Sequence, residues 1–144
     1  MKIHLAADHA GFEHKEALKA HLLERGHEVL DHGAKELTEG DDYPAFMNLA
    51  AAAVSMEPGS MGIIFGGSGE GEGMVANRHK GIRCAVYYGG QNDILTFSRL
   101  HNDANVLAIG ARFMNAEEVC EAADLWLETE FSHDERHIRR LAQF

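Results

Sequence analysis

Short apolar runs alternate with longer amphipathic stretches along the whole chain. Ile3-His4-Leu5-Ala6-Ala7 opens it as a strand, and a helix follows from about Gly11 to Arg25 with Leu18 and Leu22 on one face. Gly26 stops that helix. His27-Glu28-Val29-Leu30-Asp31 is a weaker second strand. Beyond the polar stretch from Gly33 to Asp42, Pro44 suits a first helical turn, and Ala45 to Met56 continue it. Pro58-Gly59 breaks the chain before a third strand, Met61-Gly62-Ile63-Ile64-Phe65. A glycine-rich loop leads from there into a short helix, Met74-Val75-Ala76-Asn77. Ile82 to Tyr87 is a fourth strand, Gln91 to His101 a helix, and Val106 to Ile109 a fifth strand. Asn115 caps a helix reaching Glu128, with Glu117 and Glu118 in its favourable first turn. A last helix covers about Asp134 to Ala142.

Strands alternating with helices of these lengths predict βαβ units and a parallel sheet covered on both faces. With right-handed crossovers this is an α/β protein, a Rossmann-like three-layer α/β/α sandwich around a five-stranded parallel sheet. Residues 1–144 read as a single domain, with no repeat, linker or low-complexity segment. The pattern leaves the strand order open.

Composition narrows the partners. No apolar run approaches the ~18 residues that a membrane span needs, and MKIHLAADHAG lacks a signal-peptide core, so a cytoplasmic protein is expected. Cys84 and Cys120 have no metal-like spacing and read as reduced thiols of the core. A formal net charge of −10 argues against nucleic acid, whose binders present a basic surface.

In open parallel sheets ligands bind beyond the carboxyl ends of the strands. That places Asp8-His9 after strand one, Gly66-Gly67-Ser68-Gly69-Glu70-Gly71-Glu72-Gly73 after strand three, and Gly110-Ala111-Arg112 after strand five. Asp8-His9 is either a helix cap beside a surface histidine or a working pair, since a charged pair there is costly unless used. The glycine loop fits neither a phosphate-binding loop, which needs a lysine, nor a dinucleotide fingerprint. Glu70 and Glu72 would repel a bound phosphate. Backbone N–H groups of Ser68 to Gly71 at a helix N-terminus still favour negative charge. An enediolate forming beside a carboxylate base reconciles the two, because its charge exists only as the reaction passes through it. A tight turn with two solvated glutamates is the plainer alternative.

A phosphate must then be held elsewhere. His133, Arg136, His137 and Arg140 form one stripe of the last helix, leaving Ile138, Leu141 and Phe144 on other angles for packing. His101 and Asn102 end a helix running antiparallel to the strands, far from the other candidates. Either His101 is a surface residue suited to a helix C-terminus, or it serves a neighbouring subunit, which predicts a homodimer with shared sites.

Asp8-His9-Ala10-Gly11, Asp42-Tyr43-Pro44, the GGSGEGE loop, Ala76-Asn77, Gly81-Ile82-Arg83, His101-Asn102-Asp103-Ala104-Asn105 and Arg136-His137-Ile138-Arg139-Arg140 occur in that order. Together they resemble the ribose-5-phosphate isomerase B family, which includes galactose- and allose-phosphate isomerases, over essentially the whole chain. The resemblance implies a Rossmann-like dimer, in the family often paired into tetramers, that interconverts aldose and ketose phosphates without metal or organic cofactor. It implies that Asp8 and His9 contact the sugar and that Gly67, Ser68, Gly69, Glu70 and Gly71 line the loop holding the enediolate. Tyr43 would also bind substrate, and with Asp42 and the loop before them would influence which sugar phosphate fits. Asn102 and Arg112 would bind substrate, Arg136 and Arg140 its phosphate, and His101 would reach in from the partner to assist ring opening. Many members carry a cysteine base where this chain has Gly66. The chain is instead similar to the subgroup whose base is the loop's second glutamate, here Glu72, with Ser68 stabilising the intermediate. Glu70 stands where that subgroup often has asparagine, and a second nearby carboxylate would raise the pKa of Glu72.

The expected reaction is ribose 5-phosphate to ribulose 5-phosphate, with four- and six-carbon sugar phosphates open. A non-catalytic module for a phosphorylated metabolite would use the same arginines and glycines but would need neither Glu72 nor His101. A metal hydrolase is disfavoured because His9, His14 and His32 lack ligand spacing.

Overall fold

A computed structural model describes all 144 residues. Five strands, β1 (Lys2–Ala7), β2 (Glu28–Asp31), β3 (Met61–Gly66), β4 (Cys84–Tyr87) and β5 (Val106–Gly110), form one sheet in the order β2-β1-β3-β5-β4. Every neighbouring pair is parallel. Six helices connect and flank them: α1 (Phe12–Glu24), α2 (Tyr43–Met56), α3 (Glu70–Ala76), α4 (Asp93–Leu100), α5 (Ala116–Glu128) and α6 (Glu135–Leu141). A short 3-10 turn, Ala111–Phe113, follows β5 directly. No helix is long and apolar enough to cross a membrane.

The inner strands are buried on both sides, and their side chains alternate between two cores. Ile3, Leu5, Ile63, Phe65, Leu107 and Ile109 pack under Leu18, Leu22, Leu95 and Trp126 of α1, α4 and α5. Ala6, Ile64, Val106 and Ala108 face Met47, Ala50, Ala51, Val54 and Ala76 of α2 and α3. The small residues of this second layer let its helices approach the sheet closely.

Most element boundaries fall within two residues of those expected. Asn115 caps α5 as predicted, in a full capping box with Glu118. Two expectations need correction. The helix after β3 begins at Glu70, not Met74, so Glu70, Gly71 and Glu72 are helical. In α6 the packing residue is His137, which is buried, while Ile138 and Phe144 are exposed. The thiols of Cys84 and Cys120 are free and half-buried.

The strand order sets where a ligand can sit. From β1 the chain crosses outward to β2, and from β3 it crosses the other way toward β4 and β5. Connections therefore diverge between β1 and β3, and the crevice outside the carboxyl ends of those neighbours is the topological switch point.

Candidate active site

Asp8-His9 leaves β1 on one side of that crevice, and Gly66-Gly67-Ser68 leaves β3 on the other. Asp8 is buried, and its Oδ1 accepts from the backbone N–H groups of Ala10 and Gly11 at 2.9 and 3.2 Å. Asp8 thus closes the turn ahead of α1 without being its cap, which is Gly11 with no side-chain hydrogen bond, and Oδ2 is left unspent. His9 is anchored by Asp41, whose Oδ1 accepts from the imidazole Nδ1 at 2.7 Å and from the His9 backbone N–H at 3.0 Å.

Glu72 is the other buried acid, only 4% exposed. Gly69 turns the loop with φ of +80°, a conformation that favours glycine, and so starts α3 directly above the sheet. One turn later, the Glu72 side chain folds back to the end of β3. There it occupies the space that a Cβ on Gly66 would need: such an atom would overlap the Glu72 carboxylate. Burial pushes the Glu72 carboxyl above the usual range; the Asp8 charge adds to this, while the Glu72 and Gly69 N–H groups oppose it. The second carboxylate acting on Glu72 is thus Asp8 and not the expected Glu70, which is exposed at the start of α3.

The remaining loop residues surround this pair. Ser68 is exposed, and its Oγ accepts from the Glu70 N–H at 3.3 Å. Arg112, from the turn after β5, lays its guanidinium against Gly67, with Cζ 3.1 Å from where a Cβ would stand. Tyr43, at the start of α2, lays its hydroxyl over Gly71. Asp8, His9, Tyr43, Gly67, Ser68, Gly69, Gly71, Glu72 and Arg112 therefore meet at one end of the sheet.

His101, Asn102, Arg136 and Arg140 do not join them within this chain. The His101 ring is stacked between Phe97 and His137, at centroid distances of 4.8 and 4.4 Å. The Asn102 carbonyl accepts from Arg83 Nε at 3.1 Å, just ahead of β4, which puts this end of α4 at the amino ends of the strands. The Ser132 N–H bonds the Leu100 carbonyl and brings α6 to the same place. Arg136 and Arg140, both exposed on α6, travel with His101.

Two features of the site had little or no sequence signal. Asp41 is one of several acids in a polar stretch, and only the fold brings it 32 residues back to His9. The function of Gly66 as an unfilled volume depends on where Glu72 points. The donor atoms of Asp8, His9 and Asp41 lie within 4.8 Å of one another, a spacing that a cation could bridge. Oδ1 of each aspartate is already spent on N–H groups, so these residues read as a hydrogen-bonding cluster. The site as a whole offers a buried carboxyl of raised pKa, backbone N–H groups of the glycine loop and a facing guanidinium.

Residues 3–144 match the family described as Ribose/Galactose Isomerase. The ribose-5-phosphate isomerase B of Mycobacterium tuberculosis (strain CDC 1551 / Oshkosh) is 42% identical over 141 residues, covering 98% of this chain and 86% of that protein. The Escherichia coli (strain K12) ribose-5-phosphate isomerase B is 38% identical over 143 residues, 97% of this chain and 91% of that one. Among solved structures, ribose-5-phosphate isomerase B from Mycoplasma genitalium with bound ribulose-5-phosphate superimposes with a TM-score of 0.93 at 32% identity, over 99% of this chain and 92% of that one. The Clostridium thermocellum ribose-5-phosphate isomerase B gives 0.93 at 37% identity, over 99% and 94%.

Proposed function

The chain belongs to the ribose/galactose isomerase family, and from that premise we propose that it is an aldose–ketose isomerase converting ribose 5-phosphate to ribulose 5-phosphate. One observation carries the reading: a buried carboxylate of raised pKa fills the empty side-chain volume at the end of β3, beside the Asp8 carboxylate and the glycine loop. A module that only bound a phosphorylated metabolite would have no use for such a base.

Glu72 takes the proton from C2 of the open-chain aldose. The electron pair moves through the carbonyl, and the negative charge on the developing enediolate oxygen is met by the Ser68 hydroxyl and the N–H groups of Gly67, Ser68 and Gly71. A proton passes from O2 to O1 of the enediolate, and protonated Glu72 returns its own proton to C1, which leaves a carbonyl at C2 and a hydroxyl at C1 and completes the ketose. Burial suits this exchange, since a carboxyl raised toward neutral pH is a stronger base in one direction and is regenerated in the other. Asp8, through Oδ2, holds a sugar hydroxyl, as do His9 and Tyr43. Glu70, at the rim, touches the substrate without acting as base.

Phosphate binding calls for guanidinium groups, and Arg112 is the arginine that this chain brings against the glycine loop. His101, Asn102, Arg136 and Arg140 sit together at the other end of the sheet, beside exposed Phe97, Ile138 and Phe144. The proposal is that this cluster completes the site of a second copy, so that the enzyme is a homodimer. The partner subunit's His101 protonates the ring oxygen during opening, its Asn102 binds the sugar, and its Arg136 and Arg140 clamp the phosphate.

Proton NMR of the protein with ribose 5-phosphate in D2O, without added metal, tests this. Ribulose 5-phosphate carrying solvent deuterium at C1 is the expected product. Conversion of only a four- or six-carbon sugar phosphate in the same assay would keep the chemistry and replace the substrate, and no conversion of any would overturn the reading. Glu72→Gln should lower kcat by about 10²–10⁴-fold with KM nearly unchanged, as for loss of a general base.

A further inference from the structure

Asp41 belongs to the loop between β2 and α2 and touches the site only through His9. Its carboxylate is nearly enclosed, with its side chain 10% exposed. Oδ1 takes two donors, both from His9, and Oδ2 is buried without a hydrogen-bond partner. A carboxylate so placed has lost most of its hydration and depends on the imidazole for compensation. Because a carboxylate can only accept, the His9 Nδ1 must carry a proton, and the free ring nitrogen is Nε2. The other charged groups facing His9 are the Asp8 carboxylate, with Oδ2 3.9 Å from Nδ1, and Arg112 across the crevice.

We propose that Asp41 is a positioning residue that holds the Nδ1–H and the ring plane of His9 and so aims Nε2 at a substrate oxygen, to which the protonated ring donates. The hydrogen bond to Asp41 raises the His9 pKa above its ordinary value; partial burial opposes this, the Asp8 charge adds, and Arg112 opposes. The imidazolium therefore persists to a higher pH than in a free histidine, whose pKa is about 6.5. A loop that does not touch the substrate thus sets the pH range over which the pocket binds it. The inference rests on the isomerase reading for what His9 contacts, but the coupling of Asp41 to His9 is measurable without substrate.

The test compares wild-type protein, Asp41→Asn and Asp41→Ala. Asparagine can still accept from Nδ1–H and preserves the geometry while removing the charge. An opposite charge this close is worth about one pH unit or more. Titrating the His9 ring by 1H–15N NMR on the free protein should show a midpoint at least about half a pH unit lower in Asp41→Asn. In Asp41→Ala the Nδ1–H tautomer should also lose its preference. In kinetics at pH 7.5, Asp41→Asn should raise KM about tenfold with kcat within about twofold, and the gap should close toward pH 6. A purely structural role would not produce a pH-dependent KM with unchanged kcat. An unshifted His9 midpoint in folded Asp41→Asn, or a KM profile superimposable on wild type, overturns the proposal. A shifted midpoint in protein that isomerises no sugar phosphate would uphold the Asp41–His9 coupling and remove the isomerase reading instead.

Discussion

Position 66 is informative because of what it lacks. A side chain there and the Glu72 carboxylate would claim the same volume, so the glycine at the end of β3 and the glutamate one turn into α3 act as a pair. The arrangement with cysteine at position 66, implied for many family members by the sequence resemblance, is one way to put a base at this point of the crevice. A glutamate reaching back from α3 is another, and the two exclude each other. Gly66→Ala is therefore expected to push Glu72 out of place. The measurement is kcat, which should fall by about 100-fold or more as the base leaves its position, set beside a thermal melt, where overpacking should cost about 1–3 kcal/mol. A wild-type kcat in folded Gly66→Ala would put the base elsewhere.

At the level of elements, α1 is tied to β2 by a charge. Lys15 is fully buried, and its Nζ donates to Asp31 Oδ1 and Oδ2, each at 2.8 Å, and to the Ala34 carbonyl at 2.7 Å. Burial pushes the Asp31 carboxyl up, but hydrogen bonds from Lys15, Lys19 and the Gly33 N–H outweigh it and hold it below the usual aspartate range. Its folded pKa is depressed, so its contribution is present above the unfolded value of about 3.9 and is lost as pH falls through the folded one. Asp31→Ala, which leaves buried Lys15 with only the half-exposed Glu16 carboxylate, 2.9 Å from Nζ, as counter-charge, should cost up to about 3–5 kcal/mol in a denaturant titration at pH 7. None of this was legible in the sequence, where Lys15 is an ordinary polar position of an amphipathic helix. What was legible are the elements themselves, because Val/Ile/Leu-rich runs such as Met61–Phe65 and the Asn115 cap are local signals. The start of α3 was not, since four glycines among residues 66–71 read as loop; the turn at Gly69 and packing of Gly73 and Ala76 against the sheet make it helical. Asp8, the glycine loop and Arg112 were placed by the rule that ligands sit at carboxyl strand ends. The Asp41–His9 pair needed the tertiary fold.

For the whole molecule, α4 runs back along the sheet and carries His101, Asn102 and α6 to the end opposite the crevice. If each complete site combines the crevice of one subunit with the His101 cluster of another, two inactive variants should rescue each other. Glu72→Gln and His101→Ala subunits, unfolded together and refolded at equal amounts, should recover about one quarter of wild-type activity: half the dimers are mixed, and each of these has one intact site of two. Activity no greater than the sum of the parents would mean that each chain works alone. The vacancy at position 66 also bears on oxidative chemistry. A cysteine base must ionise to work, and its thiolate is open to peroxide, which carries it through sulfenic acid to irreversible forms. A carboxylate has no such ladder to climb. Of this chain's two thiols, burial pushes Cys84 up to about 12 and raises Cys120 as well, so both remain protonated at neutral pH. With Glu72 as the proposed base, catalysis is expected to persist in peroxide or an alkylating reagent that would silence a cysteine base.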